Sequence, residues 1–496
     1  MQSSAPYTSA DISKPFMTLL DIVMKFARHK ENKCRISELP EELIQWIFRQ
    51  YVSGSSFAST PTEPTIRHSS QCDADIVKLL HINRAWRRVA LDTRDIWSSI
   101  YLFNPSEKVL AKFDAWFLIV EKLVRKKDAL INLQLESSNG CMTELALHKI
   151  FGILDQVRDL ELILPWCTVD MFSTADDGGL IKLLWQLMSA HPTAPVERIH
   201  IWLSDDIEVR RRENLLDLWQ CMLTLPNIQH ILWDYKSRAL PDPPTWEAHR
   251  LRSLEVREMI YFDMHWILTA CPALEEFRVL DRLFLDTRRP KMQPLEHSRL
   301  KALSLSGIDI LPALDPYTFP ALEKIYISYC KGAAKFRYMI AFIQRCKPHI
   351  THYTFAQRRD MILGKEDHNV LHLDLCRKYF NGTLEHFALR DTLTKEVVNM
   401  LMQRLPDGTH RYIPIVKTMD IAVDGLGGGI VSDLVFSRAA VYKTPLKQYQ
   451  LMKGTGGEVV QFTLRRNEPY GLGDQRRMAA MEREKVVIRR LSNVLI

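Results

Sequence analysis

Leu251-Arg-Ser-Leu-Glu-Val256, Leu274-Glu-Glu-Phe-Arg-Val279, Leu300-Lys-Ala-Leu-Ser-Leu305, Leu322-Glu-Lys-Ile-Tyr-Ile327 and Leu384-Glu-His-Phe-Ala-Leu389 state one six-residue phrase five times. The phrase is apolar-x-x-apolar-x-apolar. Its last two apolar positions lie two residues apart, the period of a strand with one buried face. Followed in both directions, it starts at Leu130, Val157, Val196, Ile228, Leu251, Leu274, Leu300, Leu322, Ile350, Leu384, Val416, Leu446 and Val459. In a chain that is 46% hydrophobic, three such positions match by chance about one time in ten. Punctuation lifts the pattern above that level. Pro226, Pro272, Pro320 and Pro348 each stand two residues before a phrase, where random placement would put about 0.6 prolines over all thirteen such positions together. Three of them close apolar helical stretches, at 215–226, 265–272 and 338–348. Proline ends a helix, and the residues after it enter a strand.

The expected fold class is therefore α/β, with a strand and a helix in each unit over residues 104–465. A single unit cannot bury its own apolar face, so neighbours stack to build a continuous core. Over about 130–465 the pattern resembles leucine-rich repeats of the irregular strand-plus-helix kind. Ser306, Ser328 and Arg390 stand where such repeats often carry Asn after the strand. The resemblance implies a solenoid with parallel strands on a concave face and helices on the convex one. An ordinary α/β domain is the other reading. In the solenoid, the residue between the last two apolar positions faces outward on the concave side. Glu255, Arg278, Ser304, Tyr326 and Thr354 are accordingly expected to bind a protein target.

Residues 36–103 read as a separate helical module. In Ile36-Ser-Glu-Leu-Pro-Glu-Glu-Leu-Ile-Gln-Trp-Ile-Phe-Arg-Gln-Tyr51, Pro40 suits a first helical turn, and Glu41 and Glu42 favour the positive end of the helix dipole. Leu43, Ile44, Ile47, Phe48 and Tyr51 then form a broad apolar stripe, which periodicity does not divide between a core and a partner. A second stripe, Ile82, Trp86, Val89 and Ala90, backs onto Arg84, Arg87 and Arg88, and Trp97 follows. The intervening 53–73, rich in Ser, Thr and Pro, reads as a flexible insertion. Leu-Pro-Glu-Glu-Leu, then Trp86-Arg-Arg-Val-Ala90, then Trp97 together resemble an F-box of the style common in fungal proteins. The insertion is longer than usual, and His81 replaces a frequent Cys or Val. The resemblance implies binding to the small Skp adaptor, and through it to a cullin–RING ubiquitin ligase. On that basis Leu39, Pro40, Leu43, Ile47, Ile82, Trp86, Val89 and Trp97 are the expected adaptor contacts and their support. The chain would be the non-catalytic substrate-recognition subunit of an SCF-type ligase. Otherwise it is a repeat scaffold outside any ligase, whose helical module is only a cap.

Composition bounds the rest. Lys+Arg 66 against Asp+Glu 59 gives +7 over 496 residues, too mild to imply nucleic acid without a clustered patch. Nine dispersed cysteines without a C-x-x-C pair argue against a disulfide framework and for the cytoplasm or nucleus. No apolar run reaches the length that spans a bilayer, about 20 residues. Residues 1–35 read as an extension with a short amphipathic helix at Phe16–Arg28. Residues 466–496 read as a basic tail in which Met478, Met481, Val486, Ile488 and Leu491 give a weak amphipathic helix, a cap for the last repeat. Gly425-Leu-Gly-Gly-Gly429 lacks a phosphate-loop signature, and Gly454–Gly457 reads as a turn. His368 and His372 have no Glu partner for a zinc site. No cofactor or metal is expected.

Overall fold

A computed structural model describes residues 39–53, 65–67, 79–81, 84–93, 96–124, 130–138, 140–164, 179–203, 212–234, 250–284, 292–308, 310–329, 336–357, 368–423, 426, 429–438, 441–443, 449–451, 461–465, 472–483 and 487–491. The chain is α/β with mostly parallel strands, and divides into two compact units, Met1–Tyr235 and Lys236–Ile496.

The first unit opens with helix α1 (Glu41–Ser53), where the amides of Leu43 and Ile44 donate to the Pro40 carbonyl at 3.0 and 3.2 Å. Helix α2 (Arg84–Asp92) packs on it through Phe48 and Trp86, whose rings meet edge-on at 5.0 Å. The Trp97 indole N–H donates to the Ala90 carbonyl at 2.6 Å, and its ring lies 6.2 Å from Trp116 of α3 (Glu107–Val124). The strands are β1 (Thr65–Arg67), β2 (Ser99–Phe103), β3 (Ile131–Glu136), β4 (Val157–Leu164), β5 (Arg198–Leu203) and β6 (His230–Asp234), adjacent in that order. Between them run α4 (Gly140–Phe151), α5 (Gly179–Ser189) and α6 (Arg212–Thr224). All pairings are parallel except β1 on β2. Two expectations change here. Ser99–Phe103, read as the end of the helical module, is the first parallel strand. Within 53–73, read as an insertion unable to order itself, Thr65–Arg67 pairs with β2 and buries Ile66. Its β-branched Thr-Ile supplies a strand that average composition hides.

In the second unit, β7 (Ser253–Ile260), β8 (Glu276–Phe284), β10 (Ala302–Gly307), β12 (Lys324–Tyr329), β13 (His352–Gln357), β14 (His386–Thr392), β15 (Thr418–Ala422), β18 (Gln461–Arg465) and β19 (Val487–Leu491) are parallel neighbours in chain order. Strands β9 (Leu295–Glu296) and β11 (Tyr317–Thr318) make a small parallel pair, and β16 (Val441–Lys443) and β17 (Tyr449–Leu451) an antiparallel one. The helices are α7 (Tyr261–Ala270), α8 (Phe336–Cys346), α9 (His368–Tyr379), α10 (Lys395–Met402), α11 (Ile430–Arg438) and α12 (Leu472–Arg483).

The six-residue phrase explains this order. Every phrase start from Val196 to Val416 is buried, and the strand begins two residues later. Register then lines like with like: Leu254, Phe277, Leu303, Ile325, Tyr353, Phe387, Met419 and Phe462 are successive neighbours, all buried. The residue after each phrase start forms a backbone rung. The amides of Glu275, Lys301, Glu323, Thr351, Glu385 and Lys417 each donate to the carbonyl of the preceding repeat's rung residue at 2.7–2.9 Å. Their polar groups are thus satisfied where strand entry would otherwise strand them. Helices α6, α7 and α8 end two residues before Pro226, Pro272 and Pro348.

Elsewhere the expected helix is absent. Between β10 and β12 a 3-10 turn, Leu311–Leu314, and β11 do its work. Pro316, five residues after Leu311, removes a backbone donor and clashes with the preceding turn, so a longer helix does not form there. The tail also differs. Its helix stops at Arg483, and Ile488 and Leu491 belong to β19, which adds a parallel strand to β18. The β-branched run Val486-Val487-Ile488 favours that outcome. Residues Phe16–Arg28, Leu446, Val459 and Gly454–Gly457 lie outside the described residues.

Candidate functional site

Helix α1 carries two apolar faces. Ile44 and Phe48 are buried against α2. Leu43, Trp46 and Tyr51 point away, 49%, 42% and 39% exposed, with Ile47 half-buried among them. Leu43, Ile47 and Tyr51 are spaced i, i+4 and i+8, and Trp46 fills i+3, so they share one side of the helix. Pro40 is exposed and Leu39 half-buried at its start. Large apolar side chains clustered in water mark a surface that a partner covers.

The expected adaptor contacts divide accordingly. Pro40 and Leu43 are exposed, while Leu39, Ile47 and Trp86 are half-buried. Val89 and Trp97 are fully buried and support the module from beneath. Ile82 lies outside the described residues. Trp46 was missed, although its i+3 spacing from Leu43 was a usable signal. Arg84, Arg87 and Arg88 line the outer side of α2, with the Arg87 Nε donating to the Leu80 carbonyl at 2.8 Å.

The second candidate surface is the half-exposed face of the strands in the second unit. Glu255, Arg278, Ser304, Tyr326 and Thr354 are direct register neighbours on five successive strands, followed by Ala388, Asp420 and Thr463. The five expected target contacts thus form one row, each half-buried. The Arg278 guanidinium lies 3.2 Å from Glu255 and 3.2 Å from Glu276. Arg390 lies 3.3 Å from Asp420, and its guanidinium stands 5.7 Å from the centre of the Tyr326 ring. Sequence reasoning noted Arg390 only as standing where such repeats often carry Asn, and missed Asp420, because their pairing joins residues about 30 apart in the chain.

Two residues towards the strand starts from Thr354 and Ala388, His352 and His386 stack at 3.8 Å. Thr351 bonds His352 Nδ1 at 2.8 Å, and Thr418 bonds His386 Nδ1. Burial pushes the His352 imidazole down to about 4, helped by His386 and Lys324. His386 is lowered too, chiefly by burial. Both rings are therefore neutral near pH 7. Beside them Lys417 holds Glu385 at 2.8 Å, and one edge further Lys301 holds Glu275 at 2.7 Å.

Other motifs resolve into structure. His372 is fully buried and bonds the Tyr353 hydroxyl, with its ring stacked on Phe355 at 3.8 Å. Gly429 takes φ +89° immediately before α11, and the glycines at 425, 427 and 428 lie outside the described residues. Among the described residues, no three His, Cys, Asp or Glu side chains converge as metal ligands. Cys271 and Cys346 are pushed up by burial to about 12 and about 11, so these thiols stay protonated. Neither a protein-family model nor a curated protein matches the chain.

Proposed function

We propose that the chain is an F-box protein, the substrate-recognition subunit of an SCF-type cullin–RING ubiquitin ligase. In this reading α1 docks on the Skp adaptor, and a leucine-rich-repeat-like solenoid presents its strand face to a protein target. The observation that carries it is the outer face of α1: Leu43, Trp46 and Tyr51 exposed together on a helix whose other apolar side is already filled. A partner groove laid over them would bury anchors of the aromatic and aliphatic kind that dominate interface energetics. The chain takes no cofactor and does no chemistry of its own. Its contribution is to raise the effective concentration of the target near a ubiquitin-charged enzyme. Free thiols at Cys221, Cys271, Cys346 and Cys376 suit a reducing compartment, the cytoplasm or nucleus. Among the described residues, no helix is long and apolar enough to cross a membrane.

The test is capture of the full chain by purified Skp adaptor, beside the Leu39→Ala/Pro40→Ala and Leu43→Ala/Trp46→Ala variants. Binding by the wild type that both variants lose supports the ligase reading. A folded wild-type chain that does not bind overturns it, and leaves a repeat scaffold whose helical module is a cap.

A further inference from the structure

The strand face of the second unit has an unusual charge economy. Arg278 is matched by Glu255 and Glu276, and Arg390 by Asp420, each across neighbouring strands or within one. Lys301 and Lys417, at the strand starts, are matched by Glu275 and Glu385. His352 and His386 are neutral, tied at Nδ1 to threonine hydroxyls. Among the described residues, Lys324 on β12 is exposed without a carboxylate in reach, and Arg282 on β8 lies over the Phe284 ring at 5.4 Å.

Between the two arginine pairs the floor is made of small groups. Half-buried Ser304 on β10 and Thr354 and Ala356 on β13 line it, with Tyr326 as the one large side chain, and Ser306, Ser328 and Ala388 are buried beside them. Leu280, two residues beyond Arg278, adds a 44% exposed apolar edge. From β8 to β14 there are four strand gaps, about 19 Å at about 4.8 Å each, the reach of about six extended residues.

Resting on the reading that this face is the target surface, we infer that it takes an uncharged segment of its target, one of small, hydroxyl-bearing and apolar side chains, and not a phosphorylated or acidic one. Recognising a phosphate needs two or more convergent cationic donors. Here the guanidiniums are already engaged, and withdrawing either from its carboxylate strands a half-buried charge. A hydroxyl-and-methyl floor offers hydrogen bonds and close approach to a neutral backbone, and the Tyr326 ring offers one stacking position under Arg390.

The experiment uses the full chain and an array of random peptides about ten residues long. Each is printed unmodified and uncharged, with one phosphoserine, and with two glutamates. The wild type should retain uncharged forms, changing less than about twofold between about 50 and about 500 mM salt. Ser304→Arg, which fills the floor, should weaken retention at least about tenfold. The Glu255→Gln/Glu276→Gln/Asp420→Asn variant, which removes the paired carboxylates from both arginines, should gain the forms with two glutamates. Preferential retention of phosphorylated or acidic peptides by the wild type, or no retention of any form, overturns the assignment. So does Ser304→Arg binding as the wild type does. Adaptor capture through α1 is measured on the same preparations, so a failure on the strand face is told apart from a failure of the ligase reading.

Discussion

Neighbouring residues of α1 should respond oppositely to truncation, and the contrast tests the assignment of its two faces. Phe48 is fully buried and meets Trp86 edge-on at 5.0 Å. Deleting such a ring costs about 3–5 kcal/mol, of which the aromatic pair accounts for about 0.5–1.5. Ile44, 3% exposed, should cost about 2–5 kcal/mol by the same reasoning. Leu43 already keeps 49% of its surface in water. Full burial of a leucine side chain is worth about 1.5–3 kcal/mol, so Leu43→Ala should lose about 1 kcal/mol. Trp46→Ala, at 42% exposure, should likewise disturb folding little for its size. Adaptor affinity should invert that order. Aromatic anchors at an interface centre cost about 2 kcal/mol or more on truncation, about 30-fold in Kd. Hydrogen exchange of the α1 and α2 amides reports the stability side, because exchange reads local opening free energies. Titration calorimetry against the adaptor reports the binding side. Phe48→Ala should speed exchange throughout α1, whereas Trp46→Ala should leave exchange alone and abolish measurable heat. Equal loss of protection in both variants, or full affinity in Trp46→Ala, would refute the division of the helix into a core face and a docking face.

Three further outcomes follow from particular residues. Gly307 takes φ +153°, and an added Cβ would sit 2.7 Å from the Leu283 carbonyl oxygen. Gly307→Ala should therefore lose about 1–3 kcal/mol in urea denaturation, and a loss below about 0.5 kcal/mol would disprove the close approach of β10 to β8. Tyr353→Phe removes a hydrogen bond between two fully buried groups, Tyr353 and His372. It should cost about 1–3 kcal/mol, readable as a lower denaturation midpoint with an unchanged slope. Burial pushes His410 down to about 3, with Arg438 and Arg404 adding to it, as burial pushes His352 down to about 4. The unfolded chain binds these protons first, near an imidazole's ordinary value of about 6.5. Stability should hold above that pH and fall as pH drops through it towards 4 and 3. His410→Gln should flatten the profile, and a midpoint independent of pH between about 7 and about 5 would contradict both assignments.

Much of the fold was legible because a short phrase carried it. The buried positions are local: Leu274, Phe277 and Val279 lie within six residues, and strand alternation alone tells them from Glu276 and Arg278. Prolines after α6, α7 and α8 marked the helix ends for the equally local reason that they remove a donor and clash with the preceding turn. What escaped were features decided by something distant. Thr65–Arg67 becomes a strand because β2 offers an edge, which no window around 53–73 contains. Ile488 and Leu491 become strand because β18 stands ready to pair. In α1, Leu43 and Ile44 are both aliphatic and adjacent, and which of the two is core depends on α2, about 40 residues on, which packs against Phe48 on Ile44's side of the helix.

On the proposed target-binding reading, the same division says where specificity in the strand face resides. On the buried side the register neighbours Leu254, Phe277, Leu303, Ile325 and Phe387 are interchangeable in kind, since each need only fill volume and avoid water, and Tyr353 alone among these neighbours also bonds His372. One residue further along each strand, Glu255, Arg278, Ser304, Tyr326, Thr354 and Ala388 range from charged through hydroxyl-bearing to methyl. A row whose backbone is held at fixed spacing by its buried twin is free to vary side chain by side chain without cost to the stack. Glu255 and Arg278 spend their charge on each other, as Arg390 and Asp420 do. The unspent part of the row is therefore its neutral middle, Ser304 to Ala388, and discrimination between targets should be altered there by single substitutions that leave the core, and α1, as they are.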